Sequence, residues 1–396
     1  MRVYCDHNAT APVLPEVVDL MRRAFVESYG NPNSLHGFGR DAKALVDEAR
    51  ERVAALVGAD PNEMIFTGGG TEADNMAVIG GARRMRKEKN RNKIVCSAIE
   101  HPAVLEPCAY LEREGFEVVR IRPDENGVIP AEKMAAEVDE TTALVALMLA
   151  NNETGVLQPV REVAEVAREK GALMHADVVQ AVGKIPVDLH ALGVDFAAIS
   201  GHKFHGPKGV GVLYVRRGAR FEPLLYGGGH ERGLRPSTLN VPGIAGMGLA
   251  AEMMKATLEE NVRRTAGMRD RMEAAVARMP EVYVNGGDAE RLPNTSNVAF
   301  AYIEGEALLY DLDRHGIAVS SGSACASGKM EPSHVLLEMG MEPALARSSI
   351  RFSLGFENTD AEVDYLVEKV KESVSRLREM SPLWEDRGGV EGEERS

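Results

Sequence analysis

Between Glu63 and Val215 the chain alternates short apolar runs with amphipathic stretches, and this alternation limits the fold more than any single motif does. The apolar runs are Glu63–Thr67, Lys93–Ser97, Glu117–Ile121, Ala143–Leu149, Leu173–Ala176, Phe196–Ser200 and Val210–Val215, each of strand length. Helical spacing fills intervals near Ala103–Gly115, Pro130–Val138 and Val160–Lys170. Short apolar strands separated by such helices predict an α/β fold, its sheet mostly parallel and covered by helices on both faces. Ligands of such sheets sit beyond the carboxyl ends of the strands. Polar clusters stand at those places: Thr67 to Thr71, Glu100-His101, Asn151 to Thr154, Asp177 with Gln180, and Ser200 to Lys203.

The flanks read differently. Met1 to Thr10 is a short extended arm ending in a polar turn. A helix follows over about Pro15–Tyr29, with Val17, Val18, Met21 and Phe25 at helical spacing. Gly30 to Ser34 is a loop by its Gly, Pro and Asn content. An amphipathic helix then runs from about Gly39 to Val57, with Ala44, Leu45, Ala49, Val53 and Leu56 on one face and Gly58 ending it. Past Gly243 come a long helix (about Ile244–Met279), short strands at Val282–Val284, Thr295–Ala301 and Ile350–Leu354, and helices near Gly305–His315 and Asp360–Met380. We expect a large domain over 15–255, and a smaller α+β domain built from 1–14 and 256–396. Residues 381–396, rich in Gly and Glu, read as a frayed tail.

Composition excludes several classes of function. A net charge of −14 argues against nucleic-acid binding, which needs clustered Lys and Arg on the phosphates. The basic run Arg83 to Lys93 lacks interleaved aromatics and reads as a solvated helix end. No apolar segment approaches a membrane span, and the N-terminus lacks a charged-then-apolar signal, so a cytoplasmic protein is expected. Cys5, Cys96, Cys108 and Cys325 have no CxxC spacing, so neither a disulfide framework nor a metal site is expected.

Two stretches carry chemistry of their own. Ser200 to Gly209 places Lys203 between His202 and His205, after an apolar run and before a Gly-Pro-Lys-Gly turn. A lysine there is either a solvated side chain or, with its pKa lowered by its surroundings, an amine that forms a Schiff base. Thr67 to Asn75 is a strand, a glycine run and a helix start. It is either a flexible turn capped by Thr71 or a cradle in which Gly70 and neighbouring amides hold an anion. The fingerprints GxGxxG and GxxxxGK[ST] are both absent.

Taken together and in order, these motifs resemble the fold-type I pyridoxal-phosphate enzymes, and within them the NifS/IscS-type cysteine desulfurases. The likeness runs from Asp6-His7-Asn8-Ala9-Thr10 to Arg351-Phe352-Ser353-Leu354-Gly355. It is carried by Gly30 to Ser34, Thr67 to Glu72, Glu100-His101, Asn151 to Gly155, His175-Ala176-Asp177, Ser200 to Lys203, Gly227 to Gly233 and Ser321 to Cys325. The resemblance implies a large domain with a mostly parallel seven-stranded sheet, plus the smaller α+β domain.

It also implies roles. Lys203 would hold pyridoxal 5'-phosphate and move protons at the substrate α-carbon. Asp177 would pair with the pyridine nitrogen, where the residues alone allow a helix N-cap. His101 would stack on the ring, though a histidine at a strand end can be purely structural. Gln180 would bond the phenolic oxygen, and Gly70, Thr71, Ser200 and His202 would hold the phosphate. Thr238 would reach the phosphate of the other subunit in a homodimer, although Ser237 stands where the family often has glycine. Asn152 and Arg351 would fix the carboxylate of L-cysteine and Asn31 would take part in binding that substrate, with a surface ion pair the alternative for Arg351.

Cys325, among small residues that cannot pack a core, would carry a persulfide, its alternative being an incidental thiol. On an acceptor scaffold it could transiently ligate an iron–sulfur cluster. Gly328 to His334 resembles the long-loop branch that serves scaffolds of NifU or IscU type. A selenocysteine lyase, an aminotransferase without need of Cys325, and a sulfur-relay protein that merely keeps the fold are the competing readings.

Overall fold

The computed structural model describes residues 1–321 and 331–385. The chain opens with β1 (Val3–Tyr4). It continues through β2 (Met64–Thr67), β3 (Lys93–Ser97), β4 (Glu117–Ile121), β5 (Thr142–Ala146), β6 (Leu173–Asp177), β7 (Phe196–Ser200) and β8 (Gly211–Val215). These last seven form one sheet in the order β2-β8-β7-β6-β5-β3-β4. β9 (Val282–Asn285), β10 (Thr295–Phe300) and β12 (Ser349–Ser353) make an antiparallel sheet with β10 in the middle, and β11 (Ile317–Ala318) pairs in parallel with β1.

Every residue of β2, β3, β5 and β7 is buried, which is why those strands read as unbroken apolar runs. Parallel pairing joins β4, β3, β5, β6 and β7, whereas β8 is antiparallel to both β7 and β2. β2 therefore points the same way as β7. The carboxyl ends of β2, β3, β5, β6 and β7 open on one edge, bringing together the five polar clusters of the sequence.

The helix Gly37–Leu56 buries Ala42, Val46, Ala49 and Val53, a stripe at helical spacing. Ala44, expected on that face, is exposed. The helix Pro15–Val26 shows a similar difference: Val17 and Ala24 are buried, whereas Val18 and Phe25 are exposed. Both helices lie against the helix Val241–Val276, whose glycines set the contact line. A Cβ on Gly246 would stand 2.8 Å from Met21 Cγ, and one on Gly248 would stand 2.5 Å from Ala49 Cα. Residues that approach glycine form the buried faces, whatever apolar side chains lie elsewhere on the turn.

The helix Val241–Val276 has 36 residues, a length of roughly 54 Å. Its first half, with Ile244, Met247, Ala251 and Met254, belongs to the core under the large sheet. Its second half adds Met268, Met272 and Val276 to a separate core with Val3, Cys5, Phe300, Leu312, Ile350 and Phe352. The N-terminal arm reaches that second core through bonds from His7 N to Ser353 O (3.1 Å) and from Ser353 N to Cys5 O (2.8 Å).

The glycine contact gives a direct test. Gly248→Val adds a branched side chain against the Ala49 backbone and should lower stability by about 3 kcal/mol, read from urea unfolding followed by circular dichroism. An unchanged unfolding midpoint would show that the two helices part without cost.

Candidate active site

Lys203 closes a short turn, Gly201–Lys203, directly after β7. It lines a cleft of about 790 Å³ at the open edge of the large sheet, together with Gly70, Thr71, His101, Asn152, Asp177, Gln180, Ser200 and His202. Its Nζ donates to Asn8 O (2.5 Å) and Ala9 O (2.9 Å). Burial is the main force on this amine, and the Arg351 charge acts in the same direction. Asp177 and Asp6 oppose them, leaving the pKa lowered to about 8.

Asp177 ends β6, and its Oδ1 accepts from Val179 N (2.8 Å), leaving the other oxygen to the cleft. Burial raises its pKa, against the pull of His101 and Lys203. No helix starts there, so its capping role is confined to a tight turn. His101 is the N-cap of the helix Pro102–Arg113, with Nδ1 accepting from Ala103 N (3.0 Å). The proton of the neutral ring therefore sits on Nε2, and burial, the largest influence, favours that neutral form. His202 has Nδ1 3.2 Å from Thr10 Oγ1, and burial followed by the Lys203 and Lys208 charges lowers its pKa to about 4. A Cβ on Gly70 would lie 2.9 Å from Val179 Cγ2 and 3.4 Å from Ser200 Cβ, so only glycine lets the helix start come so near the cleft floor.

Arg351 is buried rather than part of a surface pair. Its Nη2 donates to Asp6 Oδ1 (2.7 Å) and its Nη1 to Asn152 O (3.0 Å), while Nε has no partner among the described residues. Thr238 and Asn31 are exposed and do not line the cleft of this chain. The Asn31 side chain accepts from Asn33 N (3.0 Å) within its own loop. Cys325 lies outside the described residues, while Cys5, Cys96 and Cys108 are buried free thiols.

Sequence reasoning gave no role to Asn8, Glu100, Lys184 or His334, which the structure gathers around Lys203 and His101. Glu100 is fully buried; burial, reinforced by the Asp177 charge, raises its pKa to about 8 although Oε1 accepts from Met148 N (2.8 Å). His334 Nε2 donates to the Glu100 carbonyl at 3.1 Å. Asn8, Glu100 and His334 stood inside quoted motifs, but nothing local to them named their partners.

Residues 3–366 match the family described as aminotransferase class-V. A cysteine desulfurase of Trichormus azollae is 47% identical over 388 residues, covering 98% of this chain and 96% of that protein. The cysteine desulfurase IscS of Klebsiella pneumoniae is also 47% identical over 388 residues, covering 97% and 95%. Among solved structures, a NifS-like protein superposes with a TM-score of 0.89 at 41% identity, over 95% of this chain and all of that one.

The Lys203 amine should react with an acylating reagent at a rate that rises through about pH 8, measured on its peptide by mass spectrometry. Arg351→Met removes a positive charge and frees the Asp6 carboxylate, both of which favour the ammonium, so the midpoint should move upward. A midpoint near that of an ordinary lysine in the intact protein would contradict the geometry.

Proposed function

Because the chain belongs to the aminotransferase class-V family, among its cysteine desulfurases, we propose that it moves the sulfur of L-cysteine onto Cys325 as a persulfide and releases L-alanine, with pyridoxal 5'-phosphate held at Lys203. The observation that carries this reading is that Lys203, its pKa lowered to about 8 by burial, shares one cleft with the buried carboxyl of Asp177.

The family is one of pyridoxal-phosphate enzymes, and the donors of this cleft fit that group by their chemistry. Thr71, Ser200, His202 and the amides at Gly70 would hold its phosphate. The free oxygen of Asp177 would meet the pyridine nitrogen, Gln180 the phenolic oxygen, His101 the ring face and Lys203 the aldehyde carbon. When bound, the cofactor supplies an electron sink for charge developing at the substrate α-carbon.

The chain's own residues do the rest. Arg351 and Asn152 orient the substrate carboxylate so that the Cα–H bond faces the Lys203 amine. Lys203, once freed by the arriving substrate amine, takes the α-proton. The Cys325 thiolate attacks the substrate sulfur; an S–S bond forms as the Cβ–S bond breaks, and its electron pair stays on Cβ. His101, with its proton on Nε2, relays a proton to that carbon, Lys203 returns the α-proton to Cα, and alanine leaves.

In this reading residues 15–255 form the cofactor domain, while 1–14 and 256–396 carry Cys325 and deliver Arg351. The exposed apolar side chains Phe25, Val26, Tyr29, Leu35 and Phe38, close in sequence, support a homodimer in which Thr238 serves the phosphate of the other subunit. No helix of the described residues is long and apolar enough to cross a membrane. The free buried thiols suit a reducing cytoplasm, and a scaffold of NifU or IscU type is the sulfur acceptor.

Alanine release from L-cysteine with a reductant tests the proposal on the intact protein and on Cys325→Ser. The variant should lose activity by at least about a hundredfold while keeping the yellow colour of the bound cofactor. Equal alanine from both proteins would remove Cys325 as the nucleophile.

A further inference from the structure

Behind Lys203 lies a network of side-chain bonds that leads to a residue with no role in the reaction so far. Lys184 Nζ donates to Gln180 Oε1 (2.6 Å) and to Asn8 Oδ1 (2.8 Å). Gln180 Nε2 donates to Asn8 O at 3.0 Å, and that carbonyl also receives Lys203 Nζ. Asn8 is itself held from the other side, since Asn294 Nδ2 donates to its Oδ1 (3.1 Å) and its own Nδ2 donates to Thr295 Oγ1 (2.9 Å).

The two ends of a glutamine amide have the same shape, so the chemistry of their neighbours decides which way it faces. The Asn8 carbonyl can only accept, so the Gln180 atom facing it is the NH₂ nitrogen. Lys184 brings N–H groups, so the atom facing it is the oxygen. The two demands agree. Nε2 spends one N–H on Asn8, and its second has no partner among the described residues, on a side chain that lines the cleft.

We propose that Lys184 is a positioning residue of the desulfurase reaction, fixing Gln180 so that it presents an N–H, and never its carbonyl, to a ligand oxygen beside Lys203. This rests on the pyridoxal-phosphate reading, in which that oxygen is the phenolic one. A carbonyl turned to the same place would repel it. Burial, reinforced by the charges of Lys203 and Arg351, pushes the Lys184 pKa well below the usual lysine range. Even a neutral amine keeps two N–H groups, which suffice for both bonds. A lysine is costly in such surroundings, where methionine would fill the space without an amine to desolvate.

Uptake of pyridoxal 5'-phosphate by the apoprotein, together with the visible absorption band of the bound cofactor, tests this. Lys184→Met and Gln180→Ala should each weaken affinity about tenfold, the worth of one well-placed bond, and shift the band. The double variant should be no weaker than Gln180→Ala alone, because both changes remove one interaction. Lys184→Arg, which only donates, should restore the band. Should Lys184→Met fail to fold, Gln180→Glu serves: it still accepts from Lys184 but turns an oxygen to the ligand and to Asn8 O, and should weaken affinity at least as much as Gln180→Ala.

Wild-type affinity and band in Lys184→Met or Gln180→Glu, or losses that multiply in the double variant, would overturn the proposal. Failure of the unaltered protein to take up the cofactor would remove the reading beneath it, and the proposal with it. Normal uptake by all variants removes the proposal alone.

Discussion

The backbone carbonyl of Asn8 receives the Lys203 amine at 2.5 Å and the Gln180 amide at 3.0 Å, and the cleft depends on where that one atom stands. Asn8 belongs to the N-terminal arm, which neither sheet generates. The arm is anchored at one end by β1 pairing with β11 and by the bonds of Cys5 and His7 to Ser353. At the other end Ala11 N donates to His202 O (2.9 Å), and the His205 ring donates from Nδ1 to Pro12 O (2.9 Å). A strap held at both ends has little freedom to slide, so the carbonyl that orients Lys203 is itself fixed by the contacts on either side of it.

Desolvation shapes the charge of this cleft more than any single pair does. It raises the pKa of Asp74, Glu100 and Asp177, and lowers that of His101, Lys184, His202 and Lys203. Both trends move the groups toward neutrality. The cleft therefore holds less charge than its residues suggest. An anionic ligand there would meet the hydroxyls of Thr71 and Ser200 beside a Lys203 amine whose pKa is lowered. Asp6 ties the two halves of this balance together: it pairs with Arg351 at 2.7 Å and, through its charge, favours the Lys203 ammonium that Arg351 disfavours.

The large sheet was legible in the sequence because β2, β3, β5 and β7 are buried on both faces, and an unbroken apolar run needs no knowledge of its neighbours. Lys93–Ser97 and Phe196–Ser200 are read to the residue; Ala143–Leu149 is shifted because β5 ends at Ala146 and the chain runs on, still buried, into the cleft. The helix faces were less legible. Val18, Phe25 and Ala44 fit the period as well as their neighbours, yet the contact line was drawn by Gly246 and Gly248 on a helix some two hundred residues later. Polar partners were hidden for the same reason. Lys184 finds Asn8, and Arg351 finds Asp6, across nearly half and nearly the whole of the chain.

The cleft lies between the large sheet and the arm, and the arm ties it to the antiparallel sheet. Lys203, Asp177 and Gln180 stand on the large sheet, Arg351 and Asn294 on or beside the antiparallel one, and Asp6 and Asn8 on the arm between them. The helix Val241–Val276 spans both cores, and its burial in each resists rotation of one against the other. A shift of the antiparallel sheet would carry Arg351 and Asn294 together. It would strain the bonds to Asp6, Asn152 and Asn8 at once, and so disturb the acceptors of Lys203. The pairing of Arg351 and the state of the lysine amine are thus coupled through the arm. Any change in the hold of Arg351 on Asp6 changes the charge that Lys203 feels.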